Sequence, residues 1–302
     1  MIKIRVKAKR GPYNGSGEAE IHMSSLSVSR SDLFRRHIAL PQQHGSWALW
    51  LGPYAVGLGV SPALKPALIW LTLASLGGFL LLQPLTVLVK VLAGRRPRTD
   101  LAPAAFWIGA HGLLAGIGMA GLMASGSGLV LWLGLASLPV LAWQLWLVAR
   151  REERGQMGVE LVGAGVLALA APAAYWVDAG RIVASGWWLW LLCWLQSSGA
   201  IVYIYLRLEH RRMSVLLGWP ERVKMAWRST LYNAANLFAT SVMAAAGWVP
   251  WLILLPFAAM LAEALYGGLL RPGIAAKPVT IGIRQVLVTA VVSALTILAF
   301  RI

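Results

Sequence analysis

Acidic side chains are scarce in this chain of 302 residues, which has 11 Asp and Glu against 27 Lys and Arg. They form no cluster that would hold Mg²⁺ against a diphosphate, because such a hard cation needs several oxygen ligands. The single cysteine, Cys193, rules out an internal disulfide and a zinc site built on two thiols. The sequence also contains no His/Cys spacing typical of a zinc site, no glycine-rich phosphate-binding loop with a lysine, and no G-x-S-x-G motif of a serine nucleophile. The sequence therefore predicts no bound metal and no cofactor.

Charged residues of either sign are few, at 13% of the chain, whereas soluble domains carry about a quarter. Hydrophobic residues make up 58%, and 16 tryptophans fit a chain with many membrane–water interfaces. The net charge of +16 lies in short connections and the N-terminal tail, where membrane topology accounts for it better than nucleic-acid binding does. We therefore interpret the chain as a membrane protein whose partners are lipids and not nucleic acid.

Nine apolar stretches predict transmembrane helices, each of which needs about 20 mostly apolar residues. The first stretch is short and contains Pro53, which predicts a kink or a tilt. The predicted segments are 45–61, 66–91, 103–125, 128–149, 157–177, 184–206, 229–248, 250–269 and 279–300. The predicted fold is an all-α polytopic transmembrane bundle of about nine helices.

Lys and Arg concentrate in the N-terminal tail and in every second connection between these segments. The positive-inside rule then predicts a cytoplasmic N-terminus and an external C-terminus for a multi-pass protein of a bacterial cytoplasmic membrane. We divide the chain into a disordered basic tail, residues 1–40, and a single transmembrane domain, residues 41–302. Similar sequences around Gln83 and Gln196 indicate a weak parallel repeat of helices one to four in helices five to eight.

Polar side chains inside a membrane span are costly and normally face a partner or a water-filled cavity. With a rise of about 1.5 Å per residue, nearly all of them fall in the cytoplasmic half of the predicted segments. This asymmetry predicts a polar cavity that opens to the cytoplasm. The predicted lining residues are His44, Gln83, Lys90, His111, Gln196, Tyr203, Asn233 and Asn236.

Several of these polar residues also have a purely structural interpretation. Four side chains lie near enough to the interface to snorkel, namely Lys90, Glu160, Glu263 and Tyr205. Asn233 and Asn236 equally suit hydrogen bonds between helices, and His44 suits a cap on the first helix. Gly112 and Gly116 form a G-x-x-x-G pair, a common motif that would allow two helices to approach closely.

Residues 40–48 read Leu-Pro-Gln-Gln-His-Gly-Ser-Trp-Ala. This stretch resembles the opening signature of the YwiC-like bacterial membrane proteins, in which an acidic or amide residue precedes His-Gly-x-Trp-Ala. The similarity extends in character through the Gln83-Pro84 segment and most of the chain. The resemblance implies a bacterial membrane protein and brings no assigned biochemical activity with it.

The wider layout is similar to that of the UbiA superfamily of intramembrane prenyltransferases, which have nine helices and a cavity facing the cytoplasm. Residues 94–105, Gly-Arg-Arg-Pro-Arg-Thr-Asp-Leu-Ala-Pro-Ala-Ala, resemble the Arg- and Pro-rich link after their first motif. Their two aspartate-rich motifs bind Mg²⁺ and a prenyl diphosphate, but here residues 82–90 and 204–212 contain one acid, Glu209. None of the aspartates that bind the metal in that superfamily is present at the matching positions of this sequence. An enzyme of this kind would therefore be a prenyltransferase-like transferase without the usual metal site.

Arginine binds phosphate without a metal, often through two parallel hydrogen bonds. We therefore assign six arginines at the predicted cavity mouth to an anionic headgroup, namely Arg95, Arg96, Arg98, Arg207, Arg211 and Arg212. The alternative is that these residues only set the topology and contact anionic lipid.

The sequence leaves three functions open. The first is a UbiA-like bundle that binds or hands over a lipid or isoprenoid amphiphile, or catalyses a metal-free transfer. The second is a proton-coupled transporter or exporter in which His111, Glu160 or Glu263 carries the proton. The third is a non-catalytic assembly or partner protein of a membrane complex.

Overall fold

A computed structural model of the chain describes residues 33–302, apart from residues 43, 153, 154 and 216 and the side chains of His44 and Pro278. The described residues form helices and no strand, which confirms the all-α prediction. The main helices are α1 (His44–Val60), α2 (Ala67–Leu92), α3 (Leu101–Ala124), α4 (Leu131–Arg150), α5 (Met157–Ala179), α6 (Ala184–Arg211), α7 (Trp219–Ala245), α8 (Leu254–Leu265) and α9 (Pro278–Arg301). α5 is interrupted at Leu169, and α8 continues as a π-helical turn, Tyr266–Leu270. Residues 1–32 of the predicted disordered tail lie outside the described residues.

Seven of these helices are long and apolar enough to cross a membrane, namely α2 to α6, α8 with its flanking turns, and α9. The described residues thus contain seven candidate membrane spans, which confirms the prediction of a multi-pass membrane protein. The number is smaller than the nine spans that the sequence predicted. α1 has 17 residues, whereas a bilayer needs about 20. α7 has 27 residues, but its first turns carry the charged side chains Glu221, Arg222, Lys224 and Arg228.

α7 begins ten residues before the predicted segment 229–248, and its local sequence explains the early start. Gly218 is the residue that precedes the helix, and a proline lies in the first turn, where its missing N–H costs no hydrogen bond. Glu221 also lies in the first turn, where a carboxylate interacts favourably with the helix dipole. Much of the connection predicted after the sixth segment is therefore helical.

Hydrogen bonds between connections show that successive helices run in opposite directions. We call the end of the bundle at which α2, α4, α6 and α8 finish the basic end. There Arg95, after α2, donates to the carbonyl of Val148 near the end of α4. Arg207, near the end of α6, donates to the carbonyl of Arg271 just after α8, over 2.8 Å. The cationic connections therefore lie together at one end.

At the end of the bundle opposite the basic end, a buried carboxylate accepts hydrogen bonds from the connection between α1 and α2. Asp178, near the end of α5, is 2% exposed. It accepts hydrogen bonds from the backbone N–H groups of Ala63 at 2.9 Å and Lys65 at 2.8 Å. Arg301, at the end of α9, donates to the carbonyl of Gly59 over 2.8 Å. These contacts give Asp178 and Arg301 structural roles.

α2 and α3 form an intimately packed pair because glycine lets their backbones touch. A Cβ atom built at Gly77 would lie 2.5 Å from a backbone nitrogen of α3, and one at Gly118 would lie 2.2 Å from a backbone nitrogen of α2. The predicted G-x-x-x-G pair does not make this contact, because a Cβ at Gly112 or Gly116 meets nothing within 4 Å. The close approach instead uses the face of α3 that carries Gly118.

α6 lies at the centre of the bundle, and α4 lies at its edge. In the apolar window of α6, 67% of the residues are buried, whereas the figure for α4 is 6%. α6 packs against α5 and α7, and α1 packs between α5 and α9. The interior around α6 is thus the place where polar side chains are shielded from lipid.

Candidate functional site

Three of the predicted lining residues lie between α6, α7 and α9 and hydrogen-bond within the protein. The side-chain amide of Gln196 donates to the hydroxyl of Ser293 on α9 over 3.4 Å. The Nδ2 atom of Asn236 donates to a backbone carbonyl of α6 over 2.9 Å, and that of Asn233 donates to a carbonyl one turn earlier in α7 over 2.9 Å. All three side chains are buried, and the hydrogen bonds of Gln196 and Asn236 join α6 to α9 and α7.

The predicted residues of the N-terminal half are separate from this group. Gln83 donates from Nε2 to a backbone carbonyl that precedes α1, over 2.8 Å. His111 is buried with its ring 5.2 Å from the ring of Trp107, and Lys90 is half-buried near the end of α2. His44 begins α1, and its side chain lies outside the described residues.

The six arginines predicted for a headgroup fall into two groups. Arg95 and Arg207 donate to backbone carbonyls, and Arg96 pairs with the carboxylate of Asp100 at 3.1 Å. The other three are exposed and form no ion pair with the described part of the chain, namely Arg98, Arg211 and Arg212. The structure thus separates arginines that hold connections in place from arginines that face the surroundings.

A pocket with a cavity volume of about 70 Å³ lies at the basic end, between the end of α6 and the start of α9. This volume admits a group of a few atoms, since sites for whole small molecules measure about 300–1,000 Å³. We call it the basic pocket, and it is lined by Tyr203, Arg207, Ala276, Thr280, Ile281, Arg284 and Gln285. Two of these residues, Tyr203 and Arg207, are among the predicted site residues.

A carboxylate on α8 connects two of the side chains that line the basic pocket. The hydroxyl of Tyr203 donates to Oε1 of Glu263 over 2.9 Å, and Nη2 of Arg284 pairs with Oε2 at 2.8 Å. The side chain of Glu263 is 17% exposed and that of Arg284 is 38% exposed. Glu263 therefore neutralises Arg284 and fixes the positions of both partners.

Arg207 is held by the π-helical turn that follows α8. Its Nη1 atom donates to the carbonyls of Gly267 and Arg271, each over 2.8 Å. A π-helical turn interrupts the regular α-helical pattern, and such turns are frequent at functional sites. Gly267 is required here, since a Cβ at that position would lie 1.9 Å from the hydroxyl oxygen of Tyr203. The turn therefore fits closely around Tyr203 and Arg207.

The charges around the basic pocket leave an excess of one positive charge. Glu263 offsets Arg284, and no carboxylate in the described residues pairs with Arg207. Since Nη1 makes both carbonyl contacts, Nε and Nη2 of Arg207 have no hydrogen-bond partner within the described chain. Hydroxyl and amide groups from Thr280 and Gln285 complete the lining. Such a set of donors is suited to an anion.

Arg284 is the main residue that the sequence reasoning missed. It lies within the apolar segment 279–300, and Glu263 lies at a similar depth in the preceding segment 250–269. An arginine and a glutamate at matching depths in consecutive spans predict an ion pair, because each is costly alone in a membrane. No group of three or more His, Cys, Asp or Glu that could hold a metal occurs among residues the structure describes.

Comparison with known proteins concerns the N-terminal half of the chain. Residues 40–175 match the family model described as YwiC-like protein. No curated protein and no solved structure matches the chain. The matched residues contain the signature at 40–48, α1 to α4 and most of α5, which confirms the predicted resemblance to that family. Over residues 40–175 the chain is therefore similar to the YwiC-like family.

Proposed function

We propose that the protein binds a lipid or isoprenoid amphiphile with an anionic head, and that the basic pocket holds this head. The observation that carries the proposal is that two arginines, Arg207 and Arg284, line the pocket, whereas the carboxylate of Glu263 pairs, among the described residues, with Arg284 alone. Arginine binds phosphate and carboxylate oxygens through parallel N–H donors without needing a metal. The pocket has room for the charged oxygens of a headgroup, and the rest of the ligand lies outside it.

An apolar surface for the remainder of the ligand adjoins the pocket. Val279, Ile283 and Leu287 follow one another at helical spacing along α9, and each is more than half exposed. They flank Thr280 and Arg284, which line the pocket. An amphiphile with its head beside Arg207 would therefore extend its tail along α9 in the surrounding lipid.

We extend the proposal to the membrane arrangement. All nine helices cross the membrane in a UbiA-like layout, with the N-terminus in the cytoplasm and the C-terminus outside. The alternating helix directions and the clustering of cationic connections at the basic end support this arrangement. The basic pocket then faces the cytoplasmic leaflet, where anionic lipids are concentrated.

The test is to identify the amphiphiles that co-purify with the protein in mild detergent by mass spectrometry. We expect the native protein to retain one anionic species in a fixed molar ratio. The double variant Glu263→Gln/Arg284→Gln removes one of the two cations without leaving an unpaired charge. It should retain about tenfold less of that species, since a charge-assisted contact with the head is lost.

The matched control is Glu209→Gln/Arg228→Gln, which makes the same chemical changes at exposed positions near the end of α6 and in the first turns of α7. It should retain the ligand like the native protein. Retention of bulk lipid alone, with the same composition in all three proteins, would contradict the proposal. That result would leave the proton-coupled transporter and the non-catalytic partner protein as the functions to examine.

A further inference from the structure

Arg207 carries the positive charge of the basic pocket that the described part of the chain leaves unbalanced. The residue is 8% exposed, and its Nη1 atom already donates to the carbonyls of Gly267 and Arg271, each over 2.8 Å. Because Nη1 is occupied, Nε and Nη2 are the donors that Arg207 offers to the pocket it lines. The N–H bonds on this edge of a guanidinium are parallel and match two oxygens on one central atom.

A glycine in the connection between α8 and α9 keeps these two donors free of a neighbouring side chain. A Cβ atom built at Gly273 would lie 2.8 Å from Nη2, 2.9 Å from Cζ and 3.2 Å from Nε of Arg207. The guanidinium cannot simply rotate away, since two carbonyls hold its Nη1 atom. A side chain at position 273 would therefore press against the part of Arg207 that carries the two donors.

The connection that contains Gly273 forms a defined turn at the edge of the pocket. The N–H of Ala276, which lines the pocket, donates to the carbonyl of Gly273 over 3.3 Å. Inside this turn Ala275 has a φ of +52°, a left-handed conformation that is costly for a residue with a Cβ atom. Such conformations persist where the surrounding contacts determine them. The turn from Gly273 to Ala276 is therefore a wall of the basic pocket.

The charge balance of the pocket limits the charge of the group that it binds. Glu263 pairs with Arg284 at 2.8 Å, so these two charges cancel, and the other lining residues apart from Arg207 are neutral. Arg271 and Lys277 are exposed, where water and salt screen their charges. One negative charge on the ligand neutralises Arg207, whereas a second would stay unpaired in a partly buried place, which is costly. A monoanion therefore matches the pocket better than a phosphate monoester or a diphosphate does.

We propose that Arg207 binds the head of the ligand through two parallel hydrogen bonds, and that this head is a singly charged oxyanion with two oxygens on one central atom. A phosphodiester and a carboxylate both have this chemistry, and a pocket of about 70 Å³ admits a group of this size. Gly273 determines specificity, because it leaves Nε and Nη2 of Arg207 uncovered. The inference rests on the proposed function, since it identifies the head that the basic pocket holds.

The test compares four amphiphiles by isothermal titration calorimetry with the full chain, delipidated in mild detergent. Three have the same pair of hexanoyl chains and differ in the head, namely phosphatidylglycerol with one charge, phosphatidic acid with two charges in mildly alkaline buffer, and zwitterionic phosphatidylcholine. The fourth, decanoate, is a carboxylate. One of the two monoanions, phosphatidylglycerol or decanoate, is expected to bind about tenfold more tightly than phosphatidylcholine and at least as tightly as phosphatidic acid. The tighter monoanion shows whether the head is a phosphodiester or a carboxylate.

Gly273→Ala is expected to weaken the binding of that monoanion about tenfold without changing the charge of the pocket. Gly282→Ala is the matched control, since it adds the same methyl group on α9 where nothing lies within 4 Å. It should bind the monoanion like the native protein. A second variant, Glu263→Gln/Arg284→Gln, does not depend on how Gly273→Ala folds. It keeps the same net charge and Arg207, so it should bind more weakly but keep the order of the heads.

The outcomes separate this inference from the proposed function. Tighter binding of phosphatidic acid than of either monoanion would overturn the inference, and so would unchanged binding in Gly273→Ala or a changed order of heads in the double variant. In each of these cases a preference for anions over phosphatidylcholine leaves the proposed function standing. Equal binding of all four amphiphiles by the native protein would contradict the proposed function and the inference together.

Discussion

Gly118→Ala is expected to destabilise the protein by about 3 kcal/mol, because the added methyl group has no space between α2 and α3. Its Cβ would lie 2.2 Å from the backbone nitrogen of Ala74 and 2.6 Å from the carbonyl oxygen of Trp70. Backbone atoms of a helix cannot rotate away as a side chain can, so the two helices must separate. The measurement is the thermal unfolding midpoint in detergent, followed by tryptophan fluorescence.

The matched control for this prediction lies on the same helix. Gly116→Ala adds the same methyl group where nothing lies within 4 Å, and it should stay within about 1 kcal/mol of the native protein. If Gly118→Ala and Gly116→Ala unfold at the same temperature, α2 and α3 do not make the close contact described.

The second large effect is expected at the ion pair beside the basic pocket. Glu263→Gln leaves the Arg284 guanidinium without its carboxylate and weakens the hydrogen bond from Tyr203. We expect a loss of about 2–3 kcal/mol, because an unpaired charge in a partly buried site costs more than the pair itself contributes. The double variant Glu263→Gln/Arg284→Gln removes both charges and should recover at least about half of this loss.

An exposed pair of the same type provides the comparison. Tyr205 donates to Oε1 of Glu160 over 3.0 Å near the start of α5, at an exposed position with no arginine partner among the residues that the structure describes. Glu160→Gln should therefore cost less than about 1 kcal/mol in the same unfolding measurement. Equal losses for Glu160→Gln and Glu263→Gln, with no recovery in the double variant, would show that Glu263 does not neutralise Arg284.

The positions of the helices could be predicted from the sequence because apolar length is a local property. Each of the nine predicted segments overlaps one of the helices α1 to α9. The start of α7 could not be predicted from hydropathy, since its first turns are polar and depend on Gly218 and a first-turn proline. The face of α3 that packs against α2 could not be predicted either. Gly112, Gly116 and Gly118 are the same residue type on the same helix, and they differ only in whether another helix lies within 4 Å of the position of a Cβ atom.

The candidate site was predicted in part. Tyr203 and Arg207 line the basic pocket, whereas Gln83 donates to the backbone carbonyl of His37 and Gln196 donates to Ser293. Depth in the membrane can be estimated from the sequence, but the direction in which a side chain points around its helix depends on packing. The contact between Gln83 and a segment that precedes α1 joins distant parts of the chain, and no periodicity indicates it.

The most direct test of the central claim is to map where a photoreactive anionic phospholipid, with its reactive group near the head, cross-links to the protein in vesicles. We predict that peptides containing Tyr203 and residues 276–285 carry the cross-link. Glu263→Gln/Arg284→Gln should lose it, and a zwitterionic analogue should give little at these residues. Cross-links spread over exposed helices such as α4, equal for both lipids and unchanged in the variant, would contradict an anion site at the basic pocket.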